Sequence, residues 1–183
     1  MSNFSHKAPL STRRLTMNAV FIALYVVLDF TSVYISNEIK LSFAAFPLLV
    51  ASMLFGTLDG IFVAGIGEFL YQTLQYGIGP TTLMWMVPPI LHAAIAGIYA
   101  QRHGRDLNTR QIASVVLVSG IVAALLTTVV IHLDAKFWGY PSGLTAVMMV
   151  FRGVNTLIMC VIYTLIVPKT LQLLRGVFRS RVA

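Results

Sequence analysis

The sequence contains few charged residues and a single cysteine. Aspartate, glutamate, lysine and arginine make up 10% of the 183 residues, whereas a soluble domain carries roughly 25% charged residues. This shortage, together with a hydrophobic fraction of 57%, argues against a soluble domain and predicts an integral membrane protein. The single cysteine, Cys160, excludes a disulfide framework and a metal site built from several thiolates.

The sequence also lacks the short motifs of common enzyme sites. It has no Gly-Lys-Ser/Thr phosphate-binding loop, no His-Glu-x-x-His and no nucleophile elbow. We therefore expect no catalytic residue, no bound metal and no cofactor. The net charge of +7 does not indicate a nucleic-acid-binding protein, because the basic residues stand at the ends of apolar segments rather than on one soluble face.

Six apolar segments have the length and composition of membrane-spanning helices, although two of them are short. A helical span needs about 20 apolar residues, each adding about 1.5 Å, and these runs lack the alternation of barrel strands. We therefore predict an all-α bundle of six transmembrane helices that forms a single membrane domain over residues 1–183. The predicted spans are 15–35, 41–57, 59–76, 81–100, 111–133 and 146–170.

The basic residues are distributed unequally between the two sides of this predicted bundle. Ten lie on the side that holds both termini, and only Lys40 and Lys136 lie on the other side. The positive-inside rule therefore predicts that both termini are cytoplasmic, and the even number of spans agrees. The ten residues are Lys7, Arg13, Arg14, Arg102, Arg105, Arg110, Lys169, Arg175, Arg179 and Arg181.

Several ionisable residues interrupt the apolar segments, mostly in their outer halves. A charged group inside a span costs at least ~2.5–3.5 kcal/mol on insertion scales, so each one needs a compensating role. Arg152 lies about two helical turns below the predicted outer surface, and Asn155 follows on the same face. We therefore predict a water-filled pocket open to the outside, in which the planar donor fork of Arg152 binds a carboxylate or phosphate.

The predicted substrate-binding set adds polar and aromatic side chains from the other outer segments. Its aromatic members are suited to stack on a flat ring, but tryptophan and tyrosine at span ends also form interfacial belts. A second alternative is that Arg152 pairs with Glu68 or Asp29 as a structural link. The predicted residues are Arg152, Asn155, Trp85, His132, Trp138, Tyr140, Gln72, Glu68 and Lys40.

The first span carries two small residues on one face. Ala19 and Ala23 are four positions apart in "NAVFIALYVVL", a spacing that lets helix backbones approach closely in lipid. Two interpretations stay open: the two alanines pack inside the bundle, or they form a docking strip for another membrane subunit. A small bundle with no energy source of its own makes the docking strip attractive.

Several stretches of the chain carry the pattern of one known family. They are the basic stretch and first helix "TRRLTMNAVFIAL", the segment "IKLSFAAFPLLVASMLFGTLDGIFVAGIGEFL", and the pair Arg152 and Asn155 in the last span. Together they resemble the substrate-binding S component of an energy-coupling factor (ECF) transporter, a vitamin uptake system. The similarity extends over nearly the whole chain. One departure is Gly56-Thr57, where the family pattern has Gly-Pro at the inner turn.

The resemblance implies a mechanism. An S component binds a vitamin at its outer face, associates with a membrane coupling subunit and two cytoplasmic ATPase subunits, and topples in the membrane to release the vitamin inside. Ala19 and Ala23 would then contact the coupling subunit. The implied location is the plasma membrane of a prokaryotic cell, with the lipid bilayer as surroundings and no nucleic acid as partner.

The sequence restricts the identity of the vitamin less than it restricts the family. The stretch "FRGVNTLIM" is most similar to the folate-type branch, in which an arginine at this position belongs to the pocket, so Arg152 carries over. Folate is flat and dianionic and would suit Arg152 together with a stacking tryptophan. Pantothenate also fits an arginine, and a cobalamin, a queuosine precursor or a pyrimidine stays open.

Two other functions remain as alternatives: a stand-alone secondary transporter and an integral membrane enzyme acting on lipids.

Overall fold

The computed structural model describes residues 12–36, 39–104, 107–141 and 145–179. This part of the chain is almost entirely helical, as predicted, and it contains six helices and one small hairpin. The elements are α1 (Thr12–Phe30), β1 (Val33–Ser36), β2 (Ile39–Leu41), α2 (Ala45–Leu54), α3 (Thr57–Tyr76), α4 (Thr82–Arg102), α5 (Thr109–Trp138) and α6 (Ala146–Arg179).

The short helix α2 forms the centre of the bundle. It packs against α1, α3, α4 and α6, and its side chains Leu49, Val50 and Met53 are fully buried. At about 1.5 Å per residue, its ten residues extend over only about 15 Å. This is half of the ~30 Å hydrocarbon core, and the other helices enclose α2.

Two glycines allow close contacts around the turn between α2 and α3. Gly56 has a φ angle of 123°, in the region that side chains with a Cβ atom rarely adopt. Gly97 of α4 faces the start of α3, where an added Cβ would lie 2.6 Å from the Cα atom of Thr57. Only a glycine at position 97 therefore lets α4 approach α3 this closely.

The connection between α1 and α2 contains a hairpin, and α1 ends at Phe30 rather than at the predicted residue 35. Strands β1 and β2 pair antiparallel, with Val33 opposite Leu41 and Tyr34 opposite Lys40, and the register shifts between Tyr34 and Ser36. The hairpin delays the start of α2 to residue 45, compared with the predicted 41. We call the end of the bundle that carries it, where α1 and α3 end and α6 begins, the hairpin end.

Three helices are suited by length and composition to cross a membrane, counted over the described residues. They are Thr82–Arg102, Thr109–Trp138 and Ala146–Gly176. Helices α1 and α3 have 19 and 20 residues but carry buried polar groups on their inward faces, including Asn18, Asp59 and Glu68, which lower their hydropathy. The number of crossings and the side of each terminus stay predictions.

Candidate functional site

Asp29 and Lys40 form an ion pair at the hairpin end. Asp29 is the penultimate residue of α1, and its carboxylate is almost fully buried. Its Oδ1 atom lies 2.8 Å from Nζ of Lys40 in β2, and it also accepts a hydrogen bond of 2.5 Å from the hydroxyl of Ser42. The end of α1 is thereby joined to the exit of the hairpin by charged and polar contacts.

The ammonium group of Lys40 also lies over an aromatic ring. Its Nζ atom is 3.9 Å from the ring centroid of Tyr71 in α3, a cation–π distance. The ring of Tyr71 makes edge contacts with Phe30 at 5.2 Å and with Tyr76 at 6.2 Å between centroids. An aromatic group of three rings therefore lies beside the ion pair.

Glu68 is buried in α3 and uses both of its carboxylate oxygens within the protein. Oε2 accepts a hydrogen bond of 2.7 Å from the hydroxyl of Tyr25 in α1. Oε1 accepts one of 2.7 Å from the side-chain amide of Gln72, one helical turn further along α3. Glu68 and Gln72 are each 7% exposed, so both predicted site residues lie in the interior, and the bond from Tyr25 to Glu68 joins α1 to α3.

Helix α6 holds the hairpin from the other side through two polar side chains. The side-chain amide of Asn155 donates to the carbonyl of Lys40 at 3.2 Å, and the hydroxyl of Tyr163 donates to the carbonyl of Ser42 at 2.8 Å. In the part of the chain that the structure describes, the buried Oδ1 atom of Asn155 accepts no hydrogen bond. Arg152, half-buried, lies three residues before Asn155.

A second polar group lies where α5 ends beside the connection between α3 and α4. The indole N–H of Trp138 donates to the hydroxyl of Thr81 at 3.4 Å, and the hydroxyl of Tyr140 donates to Asp134 at 2.5 Å. Trp138 and Tyr140 are 57% and 46% exposed. Trp85, half-buried, lies one helical turn from Thr81 and donates its backbone N–H to the Thr81 carbonyl at 3.3 Å.

The structure therefore distributes the nine predicted residues over four settings. Asn155 bonds to the backbone of Lys40 at the hairpin, and Arg152 lies one helical turn before Asn155 on α6. Glu68 and Gln72 bond to each other in the buried part of α3. Trp85, Trp138 and Tyr140 belong to the group at the end of α5. His132 is exposed on α5, and no contact of its side chain is described.

The predicted set does not include several residues that bond around Glu68 and the hairpin. They are Tyr25, Ser42, Tyr71 and Tyr163. Two of them had a detectable signal. Tyr25 lies four residues before Asp29, and Tyr163 lies eight residues after Asn155. Each tyrosine therefore shares a helical face with a polar residue that the sequence already singles out. The roles of Ser42 and Tyr71 depend on the hairpin, which no helical pattern predicts.

The opposite end of the bundle carries a different ion pair and most of the basic residues that the structure describes. Arg14 at the start of α1 pairs with buried Asp59 at the start of α3. A groove of about 250 Å³ lies at this same end, between the start of α5 and the last turns of α6, with Arg175 on its wall. None of the described residues that line this groove belongs to the predicted substrate-binding set. We call this end the basic end.

The two alanines of the proposed docking strip lie on the outside of α1. Both Ala19 and Ala23 are exposed, whereas Phe21 and Tyr25 on the other face are buried. Of the two interpretations of these alanines, packing inside the bundle is therefore wrong for the isolated chain.

These features define a class of protein: a helical membrane bundle with buried polar contacts and an ion pair at its hairpin end. The family described as the substrate-specific component of the ECF transporter matches residues 13–171. The chain therefore belongs to this family, which comprises transporter components and not enzymes. No curated protein sequence matches the chain.

Proposed function

We propose that the chain captures a small anionic vitamin at its outer face and delivers it to an ATP-driven partner complex. Membership of the family supports a substrate-binding subunit that works with an ECF module. The six crossings, the cytoplasmic termini, the plasma membrane of a prokaryotic cell, the coupling subunit and the two ATPase subunits are parts of this proposal.

The observation that carries the proposal is the arrangement of Asn155 and Arg152 beside the hairpin. The buried acceptor Oδ1 of Asn155 has no hydrogen-bond donor among the described residues, and a buried polar atom normally has one. A ligand with an N–H or O–H group would satisfy it. Arg152, one helical turn earlier, would supply the charge-assisted hydrogen bonds that a carboxylate prefers.

The remaining predicted residues differ in how directly they would contact the ligand. Lys40 would bind the ligand while it keeps its contacts with Asp29 and Tyr71, since its ammonium group contacts both residues. Glu68 and Gln72 would support the pocket from beneath, since their polar atoms bond within the protein. Trp85, Trp138, Tyr140 and His132 would line its exposed rim.

Folate is the first candidate, because a flat dianion would use both the arginine and the aromatic rings. The stretch around Arg152 resembles the folate-type branch, and pantothenate is the next candidate. Mass spectrometry of the small molecule released from the purified, denatured protein tests the proposal directly. Recovery of a stoichiometric anionic vitamin supports it, whereas a neutral ligand contradicts the anionic part.

Transport assays separate this function from that of a stand-alone transporter. Cells that express the chain together with the coupling subunit and both ATPases are expected to accumulate the vitamin. Cells that express the chain alone are expected to bind the vitamin without accumulating it. Accumulation by the chain alone would replace the proposal with secondary transport.

A further inference from the structure

The ion pair at the basic end joins three helices through one guanidinium group. Nε of Arg14 lies 3.0 Å from each carboxylate oxygen of Asp59, and a terminal nitrogen of Arg14 contacts the same carboxylate. That terminal nitrogen also donates to the carbonyl of Phe55 at 3.0 Å. Helix α1 is thereby tied to the start of α3 and to the end of α2 at a single point.

Asn18 extends this joint by one helical turn. Its side-chain amide donates to Oδ1 of Asp59 at 2.6 Å, and both residues are buried. Phe21 and Tyr25 continue the same face of α1 toward the hairpin end, and both are buried as well. The spacing of four, three and four residues defines the inward stripe of an amphipathic helix.

The exposure of Ala19 and Ala23 follows from this orientation of α1. At about 100° per residue, Ala19 lies about 140° around the helix from Arg14, and Ala23 about 180° from it. A rotation of α1 that moved its inward stripe would therefore also turn the alanines away from their present direction. Apolar contacts alone tolerate such a rotation, whereas a planar guanidinium bonded to a carboxylate and a carbonyl has directional geometry.

We propose that Arg14 and Asp59 are positioning residues that fix the rotation of α1 about its own axis and so present Ala19 and Ala23 to the coupling subunit. This inference rests on the proposed docking function of the two alanines. It assigns a role in partner recognition to an ion pair that lies on the opposite face of the helix. The joint is also remote from the hairpin end, so it acts on docking separately from ligand binding.

The test compares complex formation with ligand binding in the same variants. Arg14→Gln removes the charge, and Arg14→Lys keeps the charge but loses the planar fork. Both are co-expressed with the coupling module, and the amount of module that co-purifies is measured. We expect at least a tenfold loss for Arg14→Gln and an intermediate loss for Arg14→Lys. Vitamin affinity of the isolated chain, measured by calorimetry, should change less than twofold.

Two further variants make the outcome unambiguous. Arg102→Gln removes an exposed arginine at the same end and is expected to leave co-purification unchanged. Ala19→Trp tests the docking strip itself and is expected to abolish co-purification. If Ala19→Trp has no effect, the proposed docking function fails. If Ala19→Trp abolishes the complex but both Arg14 variants form it normally, only the positioning role fails.

The remaining outcome concerns folding. A joint that only stabilised the protein would lower vitamin affinity, thermal stability and complex formation together, and such a parallel loss in Arg14→Lys would overturn the proposal. The positioning role instead requires that Arg14→Lys retains vitamin binding while complex formation falls.

Discussion

Lys40 of the hairpin and Asp29 of α1 form an ion pair, with Nζ 2.8 Å from Oδ1. The side chain of Asp29 is 6% exposed and that of Lys40 is 23% exposed. A carboxylate this buried needs a cation or several donors, and here it has Lys40 and the hydroxyl of Ser42. The pair therefore holds the hairpin against the end of α1 beside the proposed pocket.

Replacing Lys40 by methionine is expected to leave Asp29 buried beside Ser42 without its cation. We expect a loss of about 2 kcal/mol in the free energy of unfolding, below the usual value for a fully buried pair because Lys40 is partly exposed. Thermal unfolding in detergent measures this loss. Lys136→Met, at an exposed position, is the control and should unfold like the parent chain.

A double-mutant cycle with Asp29→Asn isolates the interaction between these two residues. The coupling energy of Lys40 and Asp29 is expected to lie between about 0.5 and 3 kcal/mol. Additive effects of the two substitutions would contradict a specific ion pair.

The sequence predicted the helices well where apolar runs are long. The predicted spans 81–100 and 111–133 match most of α4 and α5, and the sixth span begins at the first residue of α6. The predicted ends were less accurate, since α5 continues to Trp138 and α6 to Arg179. Asp134 and Lys169 each lie within one residue of these predicted ends. A charged residue interrupts a hydrophobic run, but it does not end a helix.

The candidate site was harder to predict because its contacts join residues that are distant in the chain. Tyr25 and Glu68 are 43 positions apart, and Tyr163 and Ser42 are 121 apart. Helical periodicity places each residue on a face but does not say which face of another helix it meets. The contacts of Glu68 with Tyr25 and of Asp29 with Lys40 are examples of such meetings.

Arg152→Ala is expected to weaken the binding of an anionic vitamin. A charge-assisted hydrogen bond contributes about 1.5–3 kcal/mol, so the dissociation constant should rise about 10- to 150-fold. Calorimetry with the purified protein measures this change, and Arg102→Ala at the basic end is the control. An unchanged affinity would remove Arg152 from the pocket.

Asn155→Asp tests the proposed acceptor in the pocket wall. The substitution keeps the size of the side chain and one acceptor oxygen but removes the amide that donates to the carbonyl of Lys40. The added negative charge is also expected to repel an anionic ligand, so we expect at least a tenfold loss of affinity. Asn155→Asp with normal affinity in calorimetry would show that the ligand does not approach this face of α6.

Ala19→Trp is expected to abolish vitamin uptake while leaving ligand binding by the isolated chain intact. The indole would prevent the close backbone approach that small residues allow between membrane helices. Uptake by cells and calorimetry of the purified chain measure the two effects separately. Val118→Trp is the matched control, because Val118 is 55% exposed on α5, outside the proposed strip. Retained uptake in Ala19→Trp would refute the docking strip.

Gly97→Ala is expected to destabilise the bundle without touching the hairpin end. The new Cβ would lie 2.6 Å from the Cα atom of Thr57 and 3.0 Å from its backbone nitrogen, so α4 and the start of α3 must separate. Overpacking of this kind costs about 1–3 kcal/mol, which thermal unfolding measures. Gly153→Ala provides the control, because an added Cβ at that position meets nothing within 4 Å. Equal unfolding temperatures for the two variants would contradict the close packing of α4 on α3, and a loss confined to Gly97→Ala would confirm it.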